Sequence, residues 1–172
     1  MENTGAAPTE NLDLRLLRLM RTRGHSPGLE SAARALGKAG NNAAVWVVLG
    51  MALALVDWER HEAWLICAVL GPVAIGLNYG IKLLVRRPRP VLEGLPPLGG
   101  APSSLSFPSA HALSSFAVAT AMVRVDPAMA GALVVALALS LGRPYLGMHY
   151  PSDVLAGALL GVLLGLIVPL SI

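Results

Sequence analysis

Seven side chains of the kinds that handle phosphate fall in three short blocks of this chain. Lys82 and Arg89 lie in KLLVRRPRP, Ser109 and His111 in PSAH, and Arg143, His149 and Asp153 in RPYLGMHYPSD. A phosphate ester is doubly charged and needs cations plus directed donors. Arginine offers a rigid two-pronged fork and lysine a mobile point charge, and Lys82, Arg89 and Arg143 supply both. In PSAH, Pro108 fixes a helix entry and Ser109 can cap it while offering a hydroxyl. The first free backbone N–H groups of that helix then point at an anion. His111 could protonate a leaving oxygen. His149 and Asp153 are four apart, so one helical turn brings the carboxylate to the imidazole. Asp153 would then fix the tautomer and leave the other ring nitrogen free to attack phosphorus.

Each block alone also has a plainer reading. A serine at a helix start is usually only a cap, and a lone histidine there is more often structural. His149 with Asp153 equally suits a helix end whose acid favours the dipole. Arg86 and Arg87 suit snorkelling to lipid headgroups as well as they suit a ligand. For metals, the only acids near the blocks are Asp153 and Glu93, too few for Mg²⁺ or Ca²⁺. A zinc set of His111, His149 and Asp153 is disfavoured by the three surrounding cations. No metal and no cofactor is expected. Asp57, Glu59, His61 and Glu62 fall on the opposite side and read as a solvated turn.

The elements that must carry these blocks are apolar. The chain has 172 residues, 55% of them hydrophobic and 13% charged, with a mean hydropathy of +0.63. That is too apolar for an ordinary soluble domain. Five apolar stretches run from Asn42 to Val56, Trp64 to Val85, Ala110 to Val123, Ala128 to Leu141 and Val154 to Leu170. A spanning helix needs about 20 mostly apolar residues. The second and fifth meet this directly, and the others need their small or polar flanks. Alternating β patterning is absent, and only helices or closed barrels span lipid. The expected fold is all-α: a polytopic membrane helical bundle of about five transmembrane helices. NLDLRLLRLMRTR (Asn11 to Arg23) mixes Leu and Arg at helical spacing and reads as an N-terminal amphipathic interfacial helix. The organisation is therefore an interfacial segment over 1–40 and a membrane domain over 41–172. The Pro-, Gly- and Ser-rich loop from Arg86 to Phe107 could serve as a lid or entrance.

Five spans put all three blocks on one side of the membrane. That side carries eleven of the 13 Lys and Arg residues, leaving Arg60 and Arg124 opposite. The positive-inside rule then places the site at the cytoplasmic face of the plasma membrane. A pI near 9.5 would suggest nucleic acid in a soluble protein. Here membrane orientation and phosphate binding explain it, so no nucleic acid is expected. The expected partners are a lipid-linked phosphate substrate and membrane lipids, and a homo-oligomer is left open. Cys67, the single cysteine, reads as a small buried hydrophobe.

Lys82-x6-Arg89-Pro90, Pro108-Ser109-x-His111 and Arg143-x5-His149-x3-Asp153 resemble the three signatures of the type 2 phosphatidic acid phosphatase family. The resemblance covers Lys82 to Asp153 and implies a metal-independent phosphatase with a phosphohistidine intermediate. It implies His149 as nucleophile, Asp153 as its orienter and His111 as proton donor to the leaving group. Lys82, Arg89, Ser109 and Arg143 would hold the phosphate, helped by backbone N–H groups near Ala110. Ala110 stands where the family usually has Gly, and Gly142 where a Ser usually precedes the Arg. The family commonly has six spans. SFPSAHA, HYPSDV and the small size resemble the branch that acts on a prenylphosphoryl-phosphoribose phosphate, on the way to an arabinose donor for cell-wall arabinan. Prenyl diphosphate and phosphatidylglycerophosphate phosphatases are the alternatives. A lipid-phosphate binder or transporter would use the same cations but would not need the two histidines.

Overall fold

The computed structural model describes residues 11–98 and 105–170, and among these every regular element is helical. Seven α-helices follow in order: α1 (Leu12–Thr22), α2 (Pro27–Ala39), α3 (Ala44–Val56), α4 (His61–Val85), α5 (Ala110–Val125), α6 (Gly131–Tyr145) and α7 (Pro151–Ile167). Helices α3 to α7 coincide with the five apolar stretches. By length and composition, however, only Trp58–Val85 and Pro127–Tyr145 suffice to cross a membrane. A third span results if Pro27–Ala39 and Asn41–Val56, bent by 55° at their junction, form one broken helix pair. The described residues thus hold two or three candidate spans, and the count of five is not confirmed. The reason is visible in α5 and α7, which have 16 and 17 residues. Serines and alanines fill α5, which suits a helix buried among protein neighbours more than one facing lipid.

Helix α5 sits at the centre. Leu113, Ala117, Val118, Ala121 and Met122 are fully buried there, packed with Trp46 of α3 and Trp64 of α4. The Trp46 indole donates to Ser115 Oγ at 2.9 Å, which satisfies two buried polar groups at once. The most extensive helix pair is α5 with α7. Gly157, Gly161 and Gly165 form a one-turn-spaced stripe on α7 that permits close packing. A Cβ on Gly157 would lie 2.6 Å from the Ser109 carbonyl, so only hydrogen fits. The α5 backbone therefore rides directly on α7. Because Asp153 is one turn before Gly157, this contact fixes PSAH against Asp153.

The α4–α5 and α2–α3 connections lie toward the same end, Gly40 of the latter standing against His111. Arg86 closes α4 in the left-handed conformation (φ 52°), and Pro88 prevents the helix from resuming. At the break between α2 and α3, Asn42 and Ala43 are also left-handed. Helix α1 buries Leu17 and Arg21 against the bundle while Leu12, Leu16 and Leu19 stay exposed. One face is docked on protein and another remains apolar and outward.

Candidate active site

All three blocks meet at one end of the bundle. Lys82, in the last turn of α4, is buried and donates to the Leu105 carbonyl and, at 3.3 Å, to the Ser106 carbonyl. Asn78, one turn earlier, donates to the Pro108 carbonyl at 2.9 Å and so anchors the entry to α5. The Ser109 backbone N–H donates to the Asp153 carbonyl at 3.0 Å, tying the second block to the third. Met148 ties the first to the third: its N–H donates to the Arg143 carbonyl at 3.0 Å, and its own carbonyl accepts from Arg89 Nη1 at 2.5 Å.

His149 lies in the turn before α7 and is almost fully buried. Its Nδ1 is 3.4 Å from Asp153 Oδ2, a polar contact that stops short of hydrogen-bond geometry. Its Nε2 is 3.2 Å from Arg89 Nη1. A guanidinium can only donate, so Nε2 carries the lone pair and Nδ1 the hydrogen facing Asp153. This is the tautomer needed for attack through Nε2. Burial pushes the imidazole down to about 4, with Asp153 pulling it upward and Arg89 adding to the fall. The ring is therefore neutral at ordinary pH.

Asp153 is fully buried and its carboxylate is saturated. Oδ2 accepts from the Ser106 hydroxyl and from the Tyr150 N–H at 2.9 Å, while Oδ1 accepts from Arg87 Nη1 at 2.8 Å. Sequence reasoning missed Arg87, Ser106 and Tyr150 as partners of Asp153. Arg87 had suited lipid snorkelling, and only its distance of five residues from Lys82 hinted otherwise, since that keeps it at the same helix end. Ser106 sits inside SFPSAHA, three residues before Ser109, and carried no separate signal.

His111 and Arg143 meet at α2. The His111 Nε2 donates to the Gly37 carbonyl at 3.0 Å, and a Cβ on Gly37 would lie 2.9 Å from Arg143 Nη1. A carbonyl only accepts, so Nε2 bears hydrogen and Nδ1 is the nitrogen left for proton exchange. The Ser109 side chain makes no cap bond, contrary to the expected helix cap. Its hydroxyl is buried without a protein partner, as are Arg143 Nε and His149 Nδ1. Buried donors are normally satisfied. Ser109 Oγ and Arg143 Nε thus hold polar capacity that an oxyanion could use, whereas His149 Nδ1 faces Asp153. Ala110 heads α5, and its carbonyl accepts from Ser114 at 2.8 Å. Among the described residues, no three His, Cys, Asp or Glu side chains gather around one point as metal ligands, so His111, His149 and Asp153 do not form a zinc set.

The sequence signature described as the PAP2 superfamily matches residues 62–172. The chain belongs to the PAP2 superfamily. It is 38% identical over 142 residues to the decaprenylphosphoryl-5-phosphoribose phosphatase of Mycobacterium tuberculosis, covering 83% of this chain and 80% of that protein. It is 40% identical over 131 residues to the same-named protein of Mycolicibacterium smegmatis, covering 76% and 72%. A more distant relative is the undecaprenyl-diphosphatase BcrC of Bacillus subtilis, 30% identical over 62% of this chain and 56% of that one. Two crystal structures share the fold at a TM-score of 0.70: a transmembrane PAP2-type phosphatidylglycerolphosphate phosphatase of Bacillus subtilis, at 23% identity, and Aquifex aeolicus LpxE, at 24%. They cover 90% and 97% of this chain, and it covers 81% and 98% of theirs. This PAP2 protein is accordingly a membrane phosphatase, a phosphoric monoester hydrolase acting on lipid phosphate.

Proposed function

We propose that the enzyme removes the phosphomonoester from a prenyl-linked phosphoribose, decaprenylphosphoryl-5-phosphoribose, through a phosphohistidine on His149. The observation that carries the mechanism is His149 itself, held with Nδ1 facing Asp153 at 3.4 Å and Nε2 facing Arg89 at 3.2 Å. The substrate rests on the two mycobacterial relatives, matched over most of their length.

Lys82, Arg89 and Arg143 receive the phosphate oxygens, with the Ser109 hydroxyl and the backbone N–H groups near Ala110. His149 Nε2 attacks phosphorus. A P–N bond forms as the P–O bond to the ribose breaks, and His111, protonated on Nδ1, gives its proton to the leaving oxygen. Asp153 stabilises the positive charge that develops on the imidazole. Water then attacks the phosphohistidine and surrenders its proton to His111, and the P–N bond breaks to release phosphate. The step needs no metal, because the cations and N–H groups supply the charge stabilisation. In this reading helices α3 to α7 pass the plasma membrane five times, with 1–40 as an interfacial segment and 41–172 as the phosphatase domain. The Lys and Arg distribution supports a site at the cytoplasmic face.

Phosphate release by the purified protein, with EDTA present, tests the substrate. Decaprenylphosphoryl-5-phosphoribose, prenyl diphosphate and phosphatidylglycerophosphate are compared side by side. The phosphoribose lipid is expected to be preferred. Preference for prenyl diphosphate would move the enzyme toward the BcrC-like reading and leave the mechanism in place.

A further inference from the structure

The first helix reaches the catalytic apparatus, although it lies outside residues 62–172 that match the family signature. Arg87 lies over the Tyr150 ring at 3.9 Å and uses its two amino groups on different partners. Nη1 donates to Asp153 Oδ1 at 2.8 Å and to Ser152 Oγ at 2.7 Å, and Nη2 donates to Asp13 Oδ2 at 2.7 Å. Asp13 closes the circle. Its Oδ1 accepts from the Ser152 N–H at 3.0 Å, and its Oδ2 also accepts from the Ser152 hydroxyl. Burial alone would raise the Asp13 carboxyl, but Ser152 and Arg87 together hold it below the usual carboxylate range.

We infer that Asp13, acting through Arg87, is a positioning residue for the attacking histidine. Asp13 holds Arg87; Arg87 occupies Asp153 Oδ1; and Asp153 Oδ2 is thereby left turned toward Ser106, the Tyr150 N–H and His149. A carboxylate freed from Arg87 can rotate, and His149 then loses the partner that fixes its tautomer. The charges matter as well as the shape. Two carboxylates share one guanidinium, so the trio presents net negative charge to an imidazole that becomes positive during attack. Without Asp13, Arg87 would cancel the field of Asp153 at the moment it is needed. The inference rests on His149 as the attacking group.

Asp13 also caps the first turn of α7 through the Ser152 N–H, which alone would be a structural role. The experiment must separate the two. In the full-length protein, D13N, R87Q, R87K and D13N/R87Q are assayed against pH with decaprenylphosphoryl-5-phosphoribose and dioctanoyl phosphatidate, and helicity is checked by circular dichroism. D13N and R87Q are each expected to lower kcat about tenfold with KM within about twofold, and the double variant to fall no further than R87Q. The other charges facing His149 are Asp153 on α7, Lys82 on α4 and Arg89 on the loop after α4, all unchanged in these variants. D13N leaves Arg87 uncompensated, which disfavours protonated His149 and moves the acid limb of kcat/KM to lower pH. R87Q removes a positive charge and moves that limb upward. R87K keeps the charge but not the fork, so its kcat follows R87Q while its limb stays near that of the wild type.

Multiplying losses in the double variant with an unmoved limb would reduce Asp13 to a helix cap and overturn the inference. Full kcat in D13N and R87Q would overturn it equally. Wild-type protein that turns over neither substrate would remove the phosphatase reading beneath it, a result distinct from active wild type with unaffected variants.

Discussion

The two ends of the bundle use the same kinds of side chains to opposite effect. At the far end, Arg60 pairs with Asp57 at 2.7 Å and with Asp126 at 3.1 Å, and the Trp64 indole donates to Asp57 at 2.9 Å. There one cation meets two carboxylates, and the Arg60, Asp57 and Asp126 side chains are 40%, 21% and 30% exposed. At the site end, Arg87 bridges Asp13 and Asp153, and Lys82, Arg89 and Arg143 gather beside them. Lys82, Arg143, His149 and Asp153 are buried, and donors on Ser109 and Arg143 lack protein partners. A satisfied, half-exposed ion cluster stitches helices together. A buried excess of cations with spare donors is costly unless an anion joins it. The contrast shows why composition alone cannot locate a site. What distinguishes function is charge left uncompensated after burial.

Substitutions should sharpen that contrast. The largest effect is expected from H149A, which should lower kcat by at least about 10⁴-fold because no other group can attack phosphorus. R143Q should lower it by about 10²–10³-fold, as loss of one preorganised charge at a developing oxyanion does. Steady-state kinetics on the purified variants check both. G161A comes next and acts on stability. The added methyl meets the α5 backbone at Leu113, and overpacking of about 1–3 kcal/mol outweighs the roughly 1 kcal/mol gained in helix propensity. A lowered thermal midpoint checks it. R60Q, at the satisfied end, should leave kcat within about twofold, since half-exposed ion pairs contribute little. A catalytic loss in R60Q as large as that in R143Q would break the contrast.

The pH profile tests the same point without substitution. His149 must be neutral to attack, and its burial holds it near 4 against an ordinary 6.5. After correction for substrate ionisation, the acid limb of kcat/KM for the free enzyme should lie near pH 4, where His149 gains its proton. A limb at 6.5 would mean that His149 is solvated.

The sequence made much of this legible, for identifiable reasons. Helices α3 to α7 announce themselves as apolar runs, and the three blocks carry fixed spacings that place Lys82, Arg89, His149 and Asp153 at helix ends. The number of passes was not legible, because apolar runs do not report helix length, and α5 and α7 have only 16 and 17 residues. Ser109 looked like a cap because serine at a helix start usually is one, yet its hydroxyl stays free of the backbone. Asp13 carries no signal of its own in the sequence. Its partner Ser152 is 139 residues away, and no local pattern reports a contact at that separation. Arg87 could not be told from a snorkelling arginine until its neighbours Asp13 and Asp153 were in place.

The central claim is a covalent phosphohistidine on His149. The direct measurement is rapid acid-free quenching of the enzyme with ³²P-labelled lipid phosphate, followed by mapping of the labelled peptide. The account predicts a base-stable, acid-labile label on the peptide carrying His149 that forms as fast as turnover and is missing from H149A. Steady turnover with no label on His149, or a label that persists in H149A, would contradict it.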